Sequence, residues 1–360
     1  MNIDFYDPTT TLDRYSKQKI VWHPDKLKSF VSNKLTAPLN VRIKPINACN
    51  HSCYWCAYHS PDMSKMHLDM KPKDMIEIDK LYEILDDFVD MGIKAVTYSG
   101  GGEPLLHPHA FEFLKRTLDN KLEASVITHG QFIKNKIAEV LTDFKWVRVS
   151  VDYYNALSFS ESRHTPQRCY DEIMQNLENF ARNKKNCELE VNFVITKHNY
   201  KHLDIITRIY KDIGVNNIRF SPMWVHNFQE YHSQIKEFVY NELESIKARH
   251  EVGSFKIYSS YNPKAIDSTV TSRPYTKCFI MQIKPVIGAD LNVYTCHNQA
   301  YSNDSIIASI KNQSFKNAWF NSQPFHQEFK CQTVCTGQCA DDRKNIFIHD
   351  LIGVHGDNFI

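Results

Sequence analysis

The sequence predicts an α/β fold: a partial (β/α)6 TIM-like barrel, followed by a small C-terminal domain of a β-hairpin plus a helix. Three observations predict it. Between residues 41 and 221, short strand-like runs alternate with segments of helical periodicity, which is the pattern of a parallel sheet with crossover helices. That alternation gives six units, too few for a closed eight-unit barrel. Beyond residue 229 the alternation stops, and a second group of cysteines begins at Cys278.

The elements follow in order. Val41–Ile46 reads as the first strand and runs directly into a loop holding Cys49, Cys53 and Cys56. Asp79–Met91 carries Leu81, Ile84, Leu85, Phe88 and Val89 at helical spacing, and Gly92 supplies a C-terminal stop. Strand two is Lys94–Ser99, followed by a glycine-rich turn and a helix near Pro108–Leu118. Strands are then expected at Leu122–Thr128, Trp146–Val151, Cys187–Thr196 and Asn217–Ser221. Helices are expected at Phe132–Leu141, Gln167–Arg182 and His202–Gly214. Residues 229–251 read as one polar-faced helix and 252–277 as irregular chain. Ile280–Thr295 reads as a hairpin turning at Gly288-Ala289-Asp290, and Ser314–Phe320 as a short helix.

The expected division is an N-terminal extension (1–39), the barrel (40–228), a helix and connecting segment (229–277), the cysteine-bearing domain (278–345) and a tail (346–360). In a partial barrel, functional groups gather at the C-terminal ends of the strands. The cysteine loop, the glycine turn and Thr128-His129-Gly130 all fall on that rim.

Composition excludes several classes. Of the 360 residues, 42% are hydrophobic and 23% charged, with a net charge of +2, the profile of a globular chain rather than a basic nucleic-acid binder or a disordered one. No apolar run is long enough to span a membrane, and the N-terminus lacks the features of a secretion signal. A cytoplasmic protein is expected, with neither nucleic acid nor membrane as partner.

Ten cysteines in a long chain without a secretion signal point to metal or catalysis rather than disulfides. Cys49, Cys53 and Cys56 have C-x3-C-x2-C spacing, so their thiolates can reach one soft metal centre while leaving it one ligand short. The rival reading is structural zinc, with His51 or His59 as fourth ligand. His107 and His109 are expected to shape the rim, Trp55 to cover the metal, and Tyr153 and Tyr154 either to line a substrate cavity or to pack. Cys169 and Cys187 stand apart as buried apolar residues, with hydrogen-atom donation to a substrate radical as their minority role.

The triplet, with an aromatic residue before its last cysteine, and Gly100-Gly101-Gly102-Glu103-Pro104 one strand later resemble the radical S-adenosylmethionine (SAM) enzymes. The resemblance implies a [4Fe-4S] cluster on Cys49, Cys53 and Cys56 whose free iron chelates SAM. Reduction then yields a 5′-deoxyadenosyl radical that abstracts hydrogen from substrate. It implies SAM contacts from Gly101, Gly102, Glu103, Thr128, Ser150, Asp152 and Arg163, with His129 departing from the family's usual asparagine.

The C-terminal cysteines resemble an auxiliary-cluster domain of the SPASM or shorter twitch type. This implies one auxiliary [4Fe-4S] cluster on Cys278, Cys296, Cys335 and Cys339, with Cys331 the less favoured fifth candidate. The function so implied is oxidation or epimerisation of a small polar metabolite, such as a sugar, aminocyclitol or nucleotide derivative. Flavodoxin or ferredoxin would be the electron donor. Two alternatives stand beside it: a peptide-modifying maturase, and a non-catalytic iron–sulfur or zinc sensor.

Overall fold

The structure is a computed structural model, and it describes residues 16–60, 69–225, 227–261, 266, 273–335, 339 and 341–353. The first part of the expected N-terminal extension, the end of the tail and much of 262–272 lie outside the described residues.

One sheet organises the molecule. Its strands are β1 (Asn40–Ile43), β2 (Ala95–Tyr98), β3 (Glu123–Thr128), β4 (Trp146–Val151), β5 (Glu188–Ile195), β6 (Asn217–Pro222), β7 (Lys256–Ser259), β8 (Val286–Ile287), β9 (Asn292–Tyr294) and β10 (Ile306–Ser309). The spatial order is β10-β9-β8-β1-β2-β3-β4-β5-β6-β7. Strands β1 to β7 are parallel neighbours throughout, and all six expected strands are among them. The seventh, β7, lies in a stretch expected to be irregular. Its burial comes mainly from Ile257, which packs into the core while its neighbours stay half-exposed or exposed.

Side chains alternate across a strand, so the two faces of the sheet differ. Val41, Ile43, Val96, Val147, Val149, Leu189 and Val191 point into one apolar core, together with helix residues such as Leu81, Phe88, Phe113, Ile173 and Leu177. The helices that line this core are α2 (Ile78–Met91), α3 (Ala110–Asp119), α4 (Asn135–Leu141), α5 (Ala156–Arg163), α6 (Arg168–Asn183) and α7 (Leu203–Ile213), while α1 (Pro24–Val31) packs outside it. Gly92 (φ 73°) and Gly214 (φ 94°) end α2 and α7 in the left-handed conformation that glycine adopts without steric cost. The segment expected as one helix over 229–251 is two, α8 (Phe228–Ser233) and α9 (Lys236–His250).

Helix α5 was not expected. It is set by a capping box: the Asn155 side chain accepts from the Ser158 amide, and Ser158 Oγ accepts from the Asn155 amide.

The C-terminal hairpin joins this same sheet instead of forming one of its own. Strand β8 runs parallel to β1, and β9 and β10 continue antiparallel beyond it. Amides of Leu39, Arg42 and Lys44 donate to the carbonyls of Ile283, Pro285 and Ile287. The 3-10 helix Lys17–Trp22 and α1 pack against Phe279, Ile280 and Ile348, so the N-terminal region buttresses the second cysteine segment. Among the described residues, no helix is long and apolar enough to cross a membrane.

Candidate functional site

Strand β1 ends at Ile43 and the chain turns through Cys49–Cys56 on the C-terminal rim. Two neighbours fix this loop by backbone hydrogen bonds. On one side Gly102 and Glu103 donate to the carbonyls of Ile46 and Ala48; on the other, Ser52 and Tyr54 donate to Arg163 and Ser162 at the end of α5. The unexpected helix therefore has a local role, because its final carbonyls, which lack partners within the helix, anchor the cysteine loop.

The glycine turn is required by packing. A Cβ on Gly102 would overlap the Ala48 carbonyl, and one on Gly101 would overlap the Asn47 side chain. Glu103 is buried, and its carboxylate accepts from Thr128 Oγ1 (2.6 Å), the Leu105 amide (3.1 Å) and the His129 amide (2.9 Å). Burial pushes it up to about 7 against those three donors. Thr128 and Glu103 thus bond each other first, tying the loops after β2 and β3 together. Glu103 Oε2, with one donor, retains acceptor capacity.

Arg163 is the hub. Its guanidinium pairs with Asp152 (2.8 Å), donates to the Ser150 carbonyl (2.8 Å) and lies over the Trp55 ring at 5.6 Å and the Tyr153 ring at 5.1 Å. Asp152 also accepts from Trp55 Nε1 at 2.6 Å. Ser150 is half-buried, and its carbonyl, rather than a hydroxyl contact, is what joins the network. Tyr153 is fully buried and packs edge-on to Phe159, so it does not line a cavity. Tyr154 stacks on His202 at 3.7 Å. His107 shapes the rim by bonding the Ile76 carbonyl and the His109 amide.

Both histidines offered as zinc ligands are engaged elsewhere. His59 Nε2 bonds the Gly101 carbonyl at 2.9 Å. His51 stacks on His129 at 3.9 Å, with Gln131 at one ring nitrogen and Arg163 at the other. Burial and the adjacent Arg163 depress His51 to about 4. His129 accepts from the Gln131 amide at Nδ1, which leaves Nε2 to donate to Asn50 Oδ1 at 2.8 Å. Asn50 and Gln131 were not anticipated; their place in the network is visible only once the stacked imidazoles between them are seen.

Cys49, Cys53 and Cys56 are half-buried free thiols. Burial pushes all three up, Cys49 to about 12, so a cationic centre is needed to hold them as thiolates. Among the described residues, no three His, Cys, Asp or Glu side chains converge as ligands of a single ion. A cubane places each thiolate on a separate iron, so three thiolates would leave its fourth iron open.

Cys278, Cys296, Cys331, Cys335 and Cys339 line one cavity. Its walls are braced by Arg273, which bonds Asp342 (3.1 Å) and the Cys335 carbonyl, and by Asn345, which bonds the Phe279 amide and the Lys277 carbonyl. Five thiols with a polar brace fit a four-thiolate cluster. Backbone amides reach the sulfurs of Cys278, Cys339 and Cys331, and Cys331 also donates its thiol proton to the Thr276 carbonyl at 3.0 Å.

Between the two cysteine sites lies a bridge that periodicity gave no hint of. Lys44, fully buried at the end of β1, bonds the Tyr58 hydroxyl and the Gly100 carbonyl (3.3 Å). Tyr58, two residues after Cys56, contacts the His297 ring (3.3 Å), one residue after Cys296.

The isolated cysteines divide. Cys187 precedes β5 at the end of the sheet opposite the rim, which removes it as a hydrogen donor there. Cys169, in the first turn of α6, is buried in the main core.

Residues 43–213 match the model of the Radical SAM superfamily. The chain is 24% identical over 179 residues to the S-adenosylmethionine-dependent nucleotide dehydratase of Flammeovirga pacifica, covering 46% of this chain and 58% of that protein. It is 26% identical over 205 residues to a probable GTP 3′,8-cyclase of Sulfurisphaera tokodaii, covering 55% and 61% respectively. The chain thus spans about three-fifths of the length of these curated relatives. Among solved structures, Streptococcus suis SuiB bound to S-adenosylmethionine aligns with a TM-score of 0.63 at 16% identity, over 89% of this chain and 77% of SuiB. SuiB bound to its precursor peptide SuiA gives 0.63 at 15% identity, over 91% and 75%. At that identity the likeness is one of fold.

Proposed function

We propose that this chain, with a Radical SAM superfamily domain over residues 43–213, is a radical SAM enzyme with one auxiliary iron–sulfur centre. The observation that carries the reading is the anchoring of the Cys49–Cys56 loop between the glycine turn and the end of α5, at the sheet's C-terminal rim. Cys49, Cys53 and Cys56 would hold the first [4Fe-4S] cluster, and Cys278, Cys296, Cys335 and Cys339 the second. When bound, these clusters and SAM supply reductive cleavage of the sulfonium, hydrogen abstraction and one-electron transfer.

The chain's own residues do the positioning. Gly101 and Gly102 hold the turn close to the cysteine loop, and Glu103 and Thr128 tie the neighbouring loop to it. Arg163 and Asp152 neutralise each other beneath Trp55, which shields the loop from water. Cys331, the one buried thiol of the five and a donor to the Thr276 carbonyl, would be the one left over.

The substrate class we favour is a small polar metabolite of nucleotide type, supported by the nucleotide dehydratase and the GTP cyclase among the sequence relatives. Oxidation fits better than thiol-mediated epimerisation, since Cys187 is at the wrong end of the sheet and Cys169 is buried in the main core. Peptide modification is the second reading, favoured by the SuiB fold over most of the chain. A flavodoxin or ferredoxin would supply electrons.

Anaerobically reconstituted, dithionite-reduced protein should convert SAM to 5′-deoxyadenosine, and Cys53→Ala should abolish the conversion. Absence of 5′-deoxyadenosine from the wild-type protein would overturn the enzyme reading.

A further inference from the structure

One residue outside the cysteine loop addresses both of the stacked imidazoles. The backbone amide of Gln131 donates to His129 Nδ1 (3.2 Å), and its side-chain Oε1 accepts from His51 Nε2 (3.1 Å). Arg163 donates to His51 Nδ1 at 3.4 Å, so Nε2 is the nitrogen that carries the proton. Asn50 closes the arrangement. Its Nδ2 donates to Gln131 Oε1 (2.8 Å), and its Oδ1 accepts from His129 Nε2 (2.8 Å). Each ring thus keeps one donating and one accepting nitrogen, and the two lie 3.9 Å apart with a tilt of 12°.

Gln131 is itself gripped from α6. Glu172 Oε2 accepts from Gln131 Nε2 (2.9 Å), and Asn176 Nδ2 donates to the Gln131 carbonyl (2.8 Å). Glu172 and Asn176 are four residues apart, so they project from one face of the helix. Lys134 pairs with the other Glu172 oxygen (2.5 Å) and fixes that carboxylate. A polar network with its members satisfied specifies one arrangement, which apolar packing of the same rings would not do.

The network ends on a sulfur and on a carboxylate. The His51 amide donates to Cys49 Sγ at 3.5 Å, and the His129 amide to Glu103 Oε2 at 2.9 Å. Holding the two rings therefore holds the two amides beside them. A hydrogen bond to a ligand sulfur stabilises the more negative, reduced state of an iron–sulfur centre and so raises its potential.

We propose that Gln131 is a positioning residue for the first cysteine site: through the His51 ring it holds the amide that bonds Cys49 Sγ, and so raises the potential of the centre those cysteines would carry. The proposal rests on the radical SAM reading above and adds to it a residue of the loop after β3. It also gives α6 a part in the site, since Glu172 and Asn176 set where Gln131 stands.

Two measurements on the anaerobically reconstituted full chain test this, with iron quantified in each sample. Hydrogen exchange read by mass spectrometry should be at least tenfold faster across residues 49–56 in Gln131→Leu than in wild type, with iron content unchanged. The midpoint potential of the cluster whose paramagnetic resonance signal Cys53→Ala removes should fall by about 59 mV, a tenfold shift in a one-electron equilibrium. Gln131→Glu sets two carboxylates against each other and should change both readouts in the same direction. Adding Glu172→Gln restores one donor and one acceptor at the wild-type net charge, and should return both readouts to wild type. Arg182→Gln, on the exposed side of α6, should match wild type throughout.

Exchange unaltered by Gln131→Leu, a potential unaltered where exchange rises, or a double variant no better than Gln131→Glu would overturn the proposal. So would iron loss from Gln131→Leu equal to that from Cys53→Ala, which would make Gln131 a requirement for forming the site and not for tuning it. Normal 5′-deoxyadenosine formation by the wild type, with exchange and potential indifferent to Gln131→Leu, removes the positioning role alone. Failure of the wild type to form 5′-deoxyadenosine, with the expected exchange and potentials, removes the enzyme reading alone.

Discussion

Arg163 and Asp152 illustrate how residue identity and residue role come apart. Both are legible in the sequence as polar groups at the end of the fourth strand and in the segment after it. Their partners are not legible, because spacing says nothing of side-chain direction. In the structure the two neutralise each other, 1–2% exposed, and bring Trp55 and the Ser150 carbonyl into one network. A buried pair of this kind contributes mostly by not being broken, since removing one partner leaves a charge uncompensated at a cost of about 3–5 kcal/mol.

His326 shows the same logic for a single group. It is 2% exposed, and neither ring nitrogen has a partner among the described residues. Burial, then the charges of Lys26 and Lys277, depress its proton affinity to about 3. Because the folded-state value lies below the unfolded one, the unfolded chain takes up the proton first. Stability is therefore retained above pH 6.5 and lost as pH falls towards 3, by up to about 1.4 kcal/mol per pH unit. His326→Phe should remove this contribution. In urea unfolding, the difference between variant and wild type should shift in the variant's favour below pH 6.5, and a difference independent of pH would refute the assignment.

Among the elements, the long periodic ones were legible and the short ones were not. Helices α2 and α7 announced themselves by apolar spacing and a terminal glycine, and strands β3 to β6 by alternation with those helices. Helix α5 carries little periodicity in Ala156–Arg163, and its signal was the Asn155 cap instead. Strand β7 has four residues and one deeply buried side chain, too few for a pattern. The hairpin was legible as a hairpin, but its pairing with β1 was not. That pairing depends on backbone amides between residues more than 240 positions apart, such as Lys44 donating to Ile287.

The glycine turn is the element where sequence and packing agree most directly. Gly102→Ala would drive a Cβ into the Ala48 carbonyl and displace the cysteine loop, at a cost of about 1–3 kcal/mol by comparison with other overpacked sites. Thermal unfolding should fall accordingly and 5′-deoxyadenosine formation should drop more than tenfold. Gly353→Ala, where a Cβ meets nothing within 4 Å, should leave both unchanged. Equal behaviour of the two variants would show that the turn is not tightly packed.

At the scale of the whole molecule, strand β1 joins the two cysteine sites. It pairs with β2, which leads into the glycine turn, and with β8, which lies between Cys278 and Cys296. The Lys44–Tyr58–His297 contacts span the same gap through side chains. The two groups of cysteines were visible in the sequence as separate clusters, and sequence alone divided them between domains. The continuous sheet instead makes their separation a fixed distance.

Iron and acid-labile sulfide per chain, measured on the anaerobically reconstituted protein and three cysteine variants, test the two-centre account most directly. Two [4Fe-4S] clusters predict about eight irons for the wild type and about four for either Cys53→Ala or Cys335→Ala. Cys331→Ala should retain about eight. About four irons in the wild-type protein, or a loss from Cys331→Ala equal to that from Cys335→Ala, would contradict it.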